Sequence, residues 1–253
     1  MYFVSATPGR ERWARGATIP RHRHARGYVA VVLEGGYVEA GDQGRLHLTA
    51  GDVAFHSGFE AHHDQFGANG AQILNLDLPG WRTPSLGLGR ICDPDTIART
   101  AERDPAQALE LLIAKFSPRF TQLSDWVDDL AAAIIANPVM NLTSWAEKRG
   151  LAVETLSRKF RRAFGVTPSR FRVDARARRA WQSLLANKVP LAELAIANGF
   201  ADQPHMTRAI TTLTGLTPGQ WRARCSQAQV PVHGQTLRLS RTWAHLSNRA
   251  GPV

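Results

Sequence analysis

Three histidines in the first quarter of the chain have a type and spacing suited to binding a metal ion or a small ligand. His22 and His24 are two residues apart, and His62 follows about forty residues later. On a β-strand, residues two apart share one face, so the first two imidazoles would point the same way. Because imidazole is a common ligand of divalent metals, we expect a metal or effector pocket here.

The elements that must position these histidines are predicted to be short β-strands. Apolar runs at residues 29–33 and 73–76 are strand-like, and Gly35 with Gly36 predicts a hairpin turn between residues 33 and 37. A second turn is predicted at residues 41–44. Many short strands with close turns favour a small antiparallel barrel or sandwich over βαβ units, and such a barrel has room for one small ligand.

The spacing around the histidines resembles the two motifs of the cupin family. Gly16, five further residues, the His22-x-His24 pair and Gly35 follow the first motif, while Gly51-Asp52 and His62 resemble the second. The resemblance implies a barrel in which the matching histidines and one glutamate bind a divalent metal. The glutamate position falls at Tyr28 or Val29, so one of the four ligands is missing.

Two alternatives stay open for this pocket. Three imidazoles and a water would complete a tetrahedral zinc-like site, and His56, Glu60 or Asp64 would be replacement ligands. Otherwise the pocket binds a small molecule without metal. The candidate pocket residues are His22, His24, His62, Tyr28 and His56.

Composition and charge limit the class of protein. The chain has 253 residues with 43% hydrophobic and 21% charged residues, which is typical of one or two globular domains. Two distant cysteines, Cys92 and Cys225, do not make a disulfide scaffold. No long apolar segment is present, so we expect a cytoplasmic protein without a membrane partner.

The net charge of +10 lies entirely in the C-terminal half. Residues 1–120 are neutral, with 13 basic and 13 acidic residues, whereas residues 121–225 hold 15 basic against 8 acidic residues. The three arginines of residues 226–253 complete the excess. Such a concentration of positive charge indicates a polyanionic partner, and we expect the basic residues near 161–179 to contact phosphates.

An internal repeat divides this basic half into two similar units. The first set of matches is offset by 49 residues, with Leu142, Trp145, Ala146, Gly150 and Leu151 corresponding to Leu191, Leu194, Ala195, Gly199 and Phe200. After one inserted residue, matches such as Arg158 with Arg208 and Gly165 with Gly215 continue at an offset of 50. Each unit is predicted to be a helix, a glycine turn and a second helix.

The second helix of each unit, near 153–164 and 203–213, has one apolar face and one polar face. Thr167-Pro168 opens a helix predicted to reach about residue 186, roughly 30 Å long. This length approaches the roughly 34 Å between successive major-groove faces of a DNA duplex. Two polar helix faces at this separation are suited to contacting consecutive grooves, where arginine pairs with guanine and glutamine with adenine.

Residues 121–225 resemble the paired helix-turn-helix domain of the AraC/XylS family. Residues 194–209, the Gly215–Pro218 turn and Trp221-Arg222 follow the family signature, with Met206 and Pro204 as departures. The resemblance implies a DNA-binding transcription regulator that is not an enzyme, with a cupin-like sensory domain common at the N-terminus. The candidate DNA-contacting residues are Glu154, Ser157, Arg158, Arg161, Arg162, Gln203, Pro204, Thr207 and Arg208.

We therefore predict an α+β protein with four segments. These are a cupin-like antiparallel β-barrel that binds the effector (1–91), a helical connector (92–120), a double helix-turn-helix domain (121–225) and a basic tail (226–253). The expected partners are double-stranded DNA, a small-molecule or metal effector and, for an activator, RNA polymerase. A homodimer formed through the connector is a second hypothesis. The alternative function is a metal-dependent cupin enzyme fused to a DNA-targeting module.

Overall fold

The computed structural model describes residues 8–79, 87–119 and 125–227, in which a β-sheet is followed by helices. The strands are β1 (Gly9–Trp13), β2 (Thr18–Arg23), β3 (Tyr28–Gly41), β4 (Gly44–Thr49), β5 (Asp52–His56), β6 (Ala61–Asp77), β7 (Leu88–Arg90) and β8 (Ser117–Pro118). The helices are α1 (Pro94–Ala101), α2 (Pro105–Lys115), α3 (Trp126–Ala136), α4 (Leu142–Glu147), α5 (Val153–Phe164), α6 (Pro168–Ala186), α7 (Leu191–Ala197), α8 (Gln203–Thr214) and α9 (Pro218–Gln227). The predicted α+β class is confirmed.

Two long strands, β3 and β6, pair along their lengths and organise the antiparallel sheet. The first half of β3 also pairs with β5, and its second half pairs with β4. In the same way β6 pairs with β2 near its start and with β1 near its end. Among the described strands the pairing runs from β1 to β8 without joining these two edges, so the sheet is not closed into the predicted barrel.

The predicted hairpin at Gly35 and Gly36 is wrong, because β3 runs through both residues as one strand. Gly35 has a φ of 69°, and the pairing with β6 shifts register on both sides of it. A Cβ atom on Gly35 would overlap the carbonyl oxygen of Gly70 in β6. The glycine therefore permits a bulge and a close strand approach rather than a turn. The second predicted turn is confirmed, since Gly41 pairs with Gly44 between β3 and β4.

The connector forms α1 and α2, as its sequence predicts. Asp93 and Asp104 cap these helices, and each helix has a proline in its first turn. The apolar side of α2 packs on the sheet, where Leu109, Leu112 and Phe55 share one buried cluster.

The repeat forms two helix pairs, α4–α5 and α7–α8, joined by α6. Gly165 and Gly215 end α5 and α8 in the left-handed conformation, with φ of 71° and 77°. The core of the first pair extends along α6 to Ala175, and the core of the second pair continues from Ala177. The nineteen-residue helix α6 therefore belongs to both cores and fixes their order along its axis.

The sheet packs directly against the helical half. Phe59, in the loop between β5 and β6, is buried in the core of the second helix pair, 5.0 Å from the ring of Trp181. On the other side Arg45 donates two hydrogen bonds to the carboxylate of Asp128 in α3. Among the helices described, none is both long and apolar enough to span a membrane.

Candidate nucleic-acid interface and ligand pocket

Helices α5 and α8 present the predicted DNA-contacting residues on accessible faces, while their apolar faces fill the two cores. On α5, Leu156 and Phe160 are buried. The predicted contact residues of both helices are exposed, apart from two that are half-buried. The exposed ones are Glu154, Arg158, Arg161, Arg162, Gln203, Pro204 and Arg208, and the half-buried ones are Ser157 and Thr207. The described residues thus contain two accessible polar faces in equivalent positions, and their DNA contacts stay predictions.

Pro204 is accommodated in the first turn of α8. Asp202 caps this helix by accepting a hydrogen bond from the His205 N–H at 2.7 Å. A proline in the first turn removes only an N–H that has no partner inside the helix. The departure from the family signature at this position is therefore compatible with the helix.

The expectation that the whole basic segment near 161–179 contacts phosphates is wrong for Arg178 of α6, and it stays a prediction for the half-buried Arg172 and Arg176. Arg178 is buried, and its Nη1 lies 2.7 Å from Oε1 of Glu60, which is in the loop between β5 and β6. Arg172 donates to the Met140 carbonyl, and Arg176 donates to the Gly199 carbonyl. The sequence shows the charge of these residues, but it does not show that α6 is covered by the sheet.

The candidate pocket residues are brought together on one side of the sheet. His22 lies on β2 and His24 directly follows that strand, with their Nε2 atoms 3.1 Å apart, and His62 is the second residue of β6. The Tyr28 hydroxyl is 3.3 Å from His62 Nε2, and the Tyr28 ring stacks on His56 with centroids 4.5 Å apart. A cavity of about 280 Å³ opens over His22, His24, His62 and Tyr28. His56 lies beside it, so all five candidates are close together.

A carboxylate that the sequence motif does not identify, that of Glu39 in β3, also lies at the pocket. Possible ligand atoms of Glu39, His56 and His62 lie within 4.8 Å of one another, as do those of His22, His24 and His62. Tyr28 and Glu39 both line the cavity although their positions in the strand differ by an odd number. The bulge around Gly35 changes which face alternate residues occupy. Strict alternation from Tyr28 would therefore put Glu39 on the wrong face.

Glycine at position 41 makes room for the shared histidine. Gly41 of β3 is paired with His62 of β6, and a Cβ atom at Gly41 would lie 2.9 Å from the His62 Cβ. A larger residue at this position would push the imidazole away from the other ligand atoms.

Burial lowers the pKa of three pocket histidines, His22, His56 and His62, and so favours the neutral form that binds metals. Burial, followed by the charges of His24 and His22, lowers the pKa of His56 to about 3. Burial also lowers the pKa of His62 well below its usual value, with His56 as the next cause. The His22 Nδ1 is 3.0 Å from the Pro20 carbonyl, an arrangement in which Nδ1–H donates and Nε2 is left with its lone pair.

The same burial favours the protonated form of the pocket carboxylates. Burial, with added repulsion from Asp64 and Glu60, raises the pKa of Glu39 well above its usual value. Burial raises the pKa of Asp64 to about 8. A bound cation would reverse this balance, because it favours the ionised carboxylate.

The donor set fits a divalent metal. His56 Nε2, His62 Nδ1 and Asp64 Oδ1 are buried and make no hydrogen bond within the described parts of the chain. Such atoms cost free energy unless a ligand, water or ion satisfies them. Imidazole and carboxylate donors together are typical of zinc and related transition metals.

The proposed replacement ligands have different outcomes. Asp64 lies in the pocket, with Oδ2 3.8 Å from His62 Nε2. Glu60 instead bonds Arg178 and accepts a hydrogen bond from Gln43, so its carboxylate belongs to the contact with α6. Sequence reasoning missed this contact because nothing in the local sequence pairs residues 118 positions apart.

Comparisons with known proteins agree with the helical geometry. Residues 145–224 match a protein-family model described as a helix-turn-helix domain. The arabinose operon regulatory protein of Escherichia coli (strain K12) is 29% identical over 106 residues, which are 42% of this chain and 35% of that protein. The corresponding protein of Salmonella typhimurium (strain LT2) is 30% identical over 91 residues, 36% of this chain and 32% of that protein. The chain thus matches about a third of the length of these curated relatives.

A solved structure was also found. The C-terminal domain of AraT, a response regulator from Geobacillus stearothermophilus, is 23% identical, with a TM-score of 0.40, and covers 46% of this chain and 98% of that one.

The match and the repeated helix pairs define a double helix-turn-helix DNA-binding domain in the C-terminal half. The helix-turn-helix domain that the AraC/XylS-type motif predicts is thus confirmed for residues 145–224, where the chain is also similar to the arabinose operon regulatory proteins.

Proposed function

We propose that the protein is an effector-responsive transcription regulator that binds two consecutive major grooves of DNA with α5 and α8. The observation that supports this most is the pair of exposed polar faces on equivalent helices of two units joined by α6. The nineteen residues of α6 span roughly 28 Å, close to the roughly 34 Å of one DNA turn. The named relatives are regulatory proteins of an operon, which agrees with this function.

The exposed residues divide by their expected roles. Arg158 and Arg208 occupy equivalent positions and would contact guanine edges, and Gln203 would contact adenine. Arg161 and Arg162, in the last turn of α5, would contact phosphates and set affinity and salt dependence. Contacts with RNA polymerase and a homodimer remain part of the proposal for an activator.

Replacing Arg208 by alanine tests the base-contact role. We expect Arg208→Ala to cost about 1–3 kcal/mol on the specific DNA site and to relax preference at one base pair. Arg162→Ala is the matched control, because loss of a phosphate contact should weaken binding to specific and random DNA alike. Fluorescence anisotropy with both duplexes measures the difference. Equal losses on specific and random DNA for both variants would show that the two roles are wrongly assigned.

For the effector, we propose a divalent metal of the zinc type in the pocket. His22, His24 and His62 would hold it, with Glu39 and His56 forming a second set that shares His62. Neutral imidazoles would coordinate the metal bound there. Its positive charge would favour the ionised carboxylates of Glu39 and Asp64, which would in turn stabilise the bound ion. The buried atoms without hydrogen bonds in this pocket support a metal over an empty cavity.

A further inference from the structure

Strand β2 has two chemically different faces that point to the two halves of the protein. His22 and His24 face the pocket, whereas the alternate residues Arg21 and Arg23 face the helical half. All four side chains are buried. The strand that supplies two candidate ligands therefore also contacts the DNA-binding domain.

We call α5 and α8, the two proposed DNA-contacting helices, the first and second recognition helices. Arg21 contacts the carboxyl end of the first one, α5. Its Nη1 is 3.5 Å from the carbonyl oxygen of Phe164, the last residue of α5. Its Nη2 pairs with Asp42 at 2.6 Å, which fixes the guanidinium to the sheet. The helix-ending Gly165 lies against the same side chain, since a Cβ atom there would be 3.4 Å from the Arg21 Cβ.

Arg23 makes the equivalent contact with the second recognition helix. Its Nη1 is 3.3 Å from the carbonyl oxygen of Leu213, one residue before the end of α8. Its Nη2 lies 3.7 Å from Asp174 of α6. The last carbonyls of a helix lack partners inside the helix and carry partial negative charge, so a cation placed there is stabilised.

These two contacts create a second connection between α5 and α8. The first connection is α6, whose apolar side chains pack in both cores, with Phe164 of α5 in one and Leu213 of α8 in the other. The predicted DNA-contacting residues Arg158 and Arg208 remain exposed while β2 holds the opposite ends. The packed arrangement of the two halves is thus compatible with DNA binding.

We propose that Arg21 and Arg23 are positioning residues through which β2 fixes the separation of the two recognition helices. This inference rests on the proposed function and adds to it a determinant of operator spacing. Because His22 and His24 directly neighbour Arg21 and Arg23 in the sequence, a change of the pocket would act on the two helix ends through adjacent residues.

The test uses the full chain and DNA duplexes built from two half-sites, the sequences contacted by α5 and by α8. One duplex has the spacing between half-sites that the protein selects from a random pool, and others have one to three base pairs added between them. A further duplex contains one half-site alone. The main variant is Arg23→Met, which leaves Asp174 paired with Arg170 at 2.9 Å. The wild type should prefer its own spacing by about tenfold or more, because a rigid link penalises mismatched geometry. In Arg23→Met the preference should fall to about threefold or less, with affinity for one half-site within about twofold of the wild type.

A second variant and a control keep the test decisive. The Arg21→Met/Asp42→Asn pair removes both charges of the other contact and should also weaken the spacing preference. The control is Arg12→Met, since Arg12 is an exposed residue of β1. An unchanged spacing preference in both β2 variants would overturn the inference. It would also be overturned if these variants lost the same affinity for one half-site as for two half-sites. If the wild type binds no sequence specifically, the proposed function fails and the inference falls with it.

Discussion

Replacing Arg178 by methionine is expected to lower the free energy of unfolding by about 3–5 kcal/mol, since a buried charge is left without its partner. Arg178 Nη1 lies 2.7 Å from Glu60 Oε1, and Nη2 donates to the Asp42 carbonyl at 3.2 Å. Burial raises the pKa of Glu60, whereas Arg178 and then the Gln43 hydrogen bond act to lower it. Urea denaturation of both proteins measures the change.

The same substitution should make stability depend on pH. Without Arg178 the pKa of Glu60 in the folded protein rises further above its value in the unfolded chain. The folded state then binds the proton more tightly, so stability falls as the pH rises above the unfolded value and is greatest in acid. We expect the deficit of Arg178→Met to be larger at pH 8 than at pH 5.

Two further variants separate the ion pair from general damage. Arg178→Met/Glu60→Gln removes both charges and should recover most of the stability, because no unpaired charge stays buried. Arg179→Met changes the exposed neighbour and should stay within about 0.5 kcal/mol of the wild type. If Arg178→Met is as stable as Arg179→Met, the packing of the sheet against α6 does not depend on this ion pair.

The second large effect is expected for zinc(II) binding. The wild type should bind one zinc ion per chain, and at a free zinc concentration of 100 Kd the gain in stability is about 2.7 kcal/mol. His62→Gln should weaken binding about a hundredfold or more, because His62 belongs to both sets of ligand atoms and even outer partners are worth 10–100-fold. Titration calorimetry on chelator-treated protein measures both affinities.

The matched control is His47→Gln, which changes an exposed histidine of β4 outside the pocket. It should bind zinc as the wild type does. His22→Ala/His24→Ala should lose binding as His62→Gln does if the three-imidazole set holds the ion. Equal metal content in the wild type and His62→Gln would rule out this pocket as the zinc site.

The C-terminal half could be predicted closely because its signals are local. Glycine at positions 150, 165, 199 and 215 marks helix ends, and each has positive φ in the structure. Thr167-Pro168 opens α6, which ends at Ala186 as its sequence predicts. Capping and helical periodicity act over a few residues, so the sequence pattern contains the necessary information.

The pocket was only partly predictable, since its chemistry depends on strand register. The His22-x-His24 pair and His62 were identified by motif, but Glu39 reaches them only because β3 bulges at Gly35. A bulge depends on the partner strand, here the close approach of Gly70. Strict alternation within β3 alone would put Glu39 on the face of the sheet opposite the pocket.

The contact between the two halves could not be predicted from either half alone. Phe59 has a φ of 63°, unusual for a bulky residue, and its ring fills the core of the second helix pair. Such backbone strain persists only where surrounding packing compensates for it. The compensation comes from Trp181, which lies 122 positions later in the sequence.

Selection of preferred duplexes from a random DNA pool by the full chain tests the central claim most directly. We expect enrichment of two half-sites about one helical turn apart, contacted by α5 and α8, and a change in affinity for that sequence when zinc(II) is added. Binding that is equally strong to all duplexes, with and without zinc(II), would contradict a metal-responsive regulator that recognises DNA sequence.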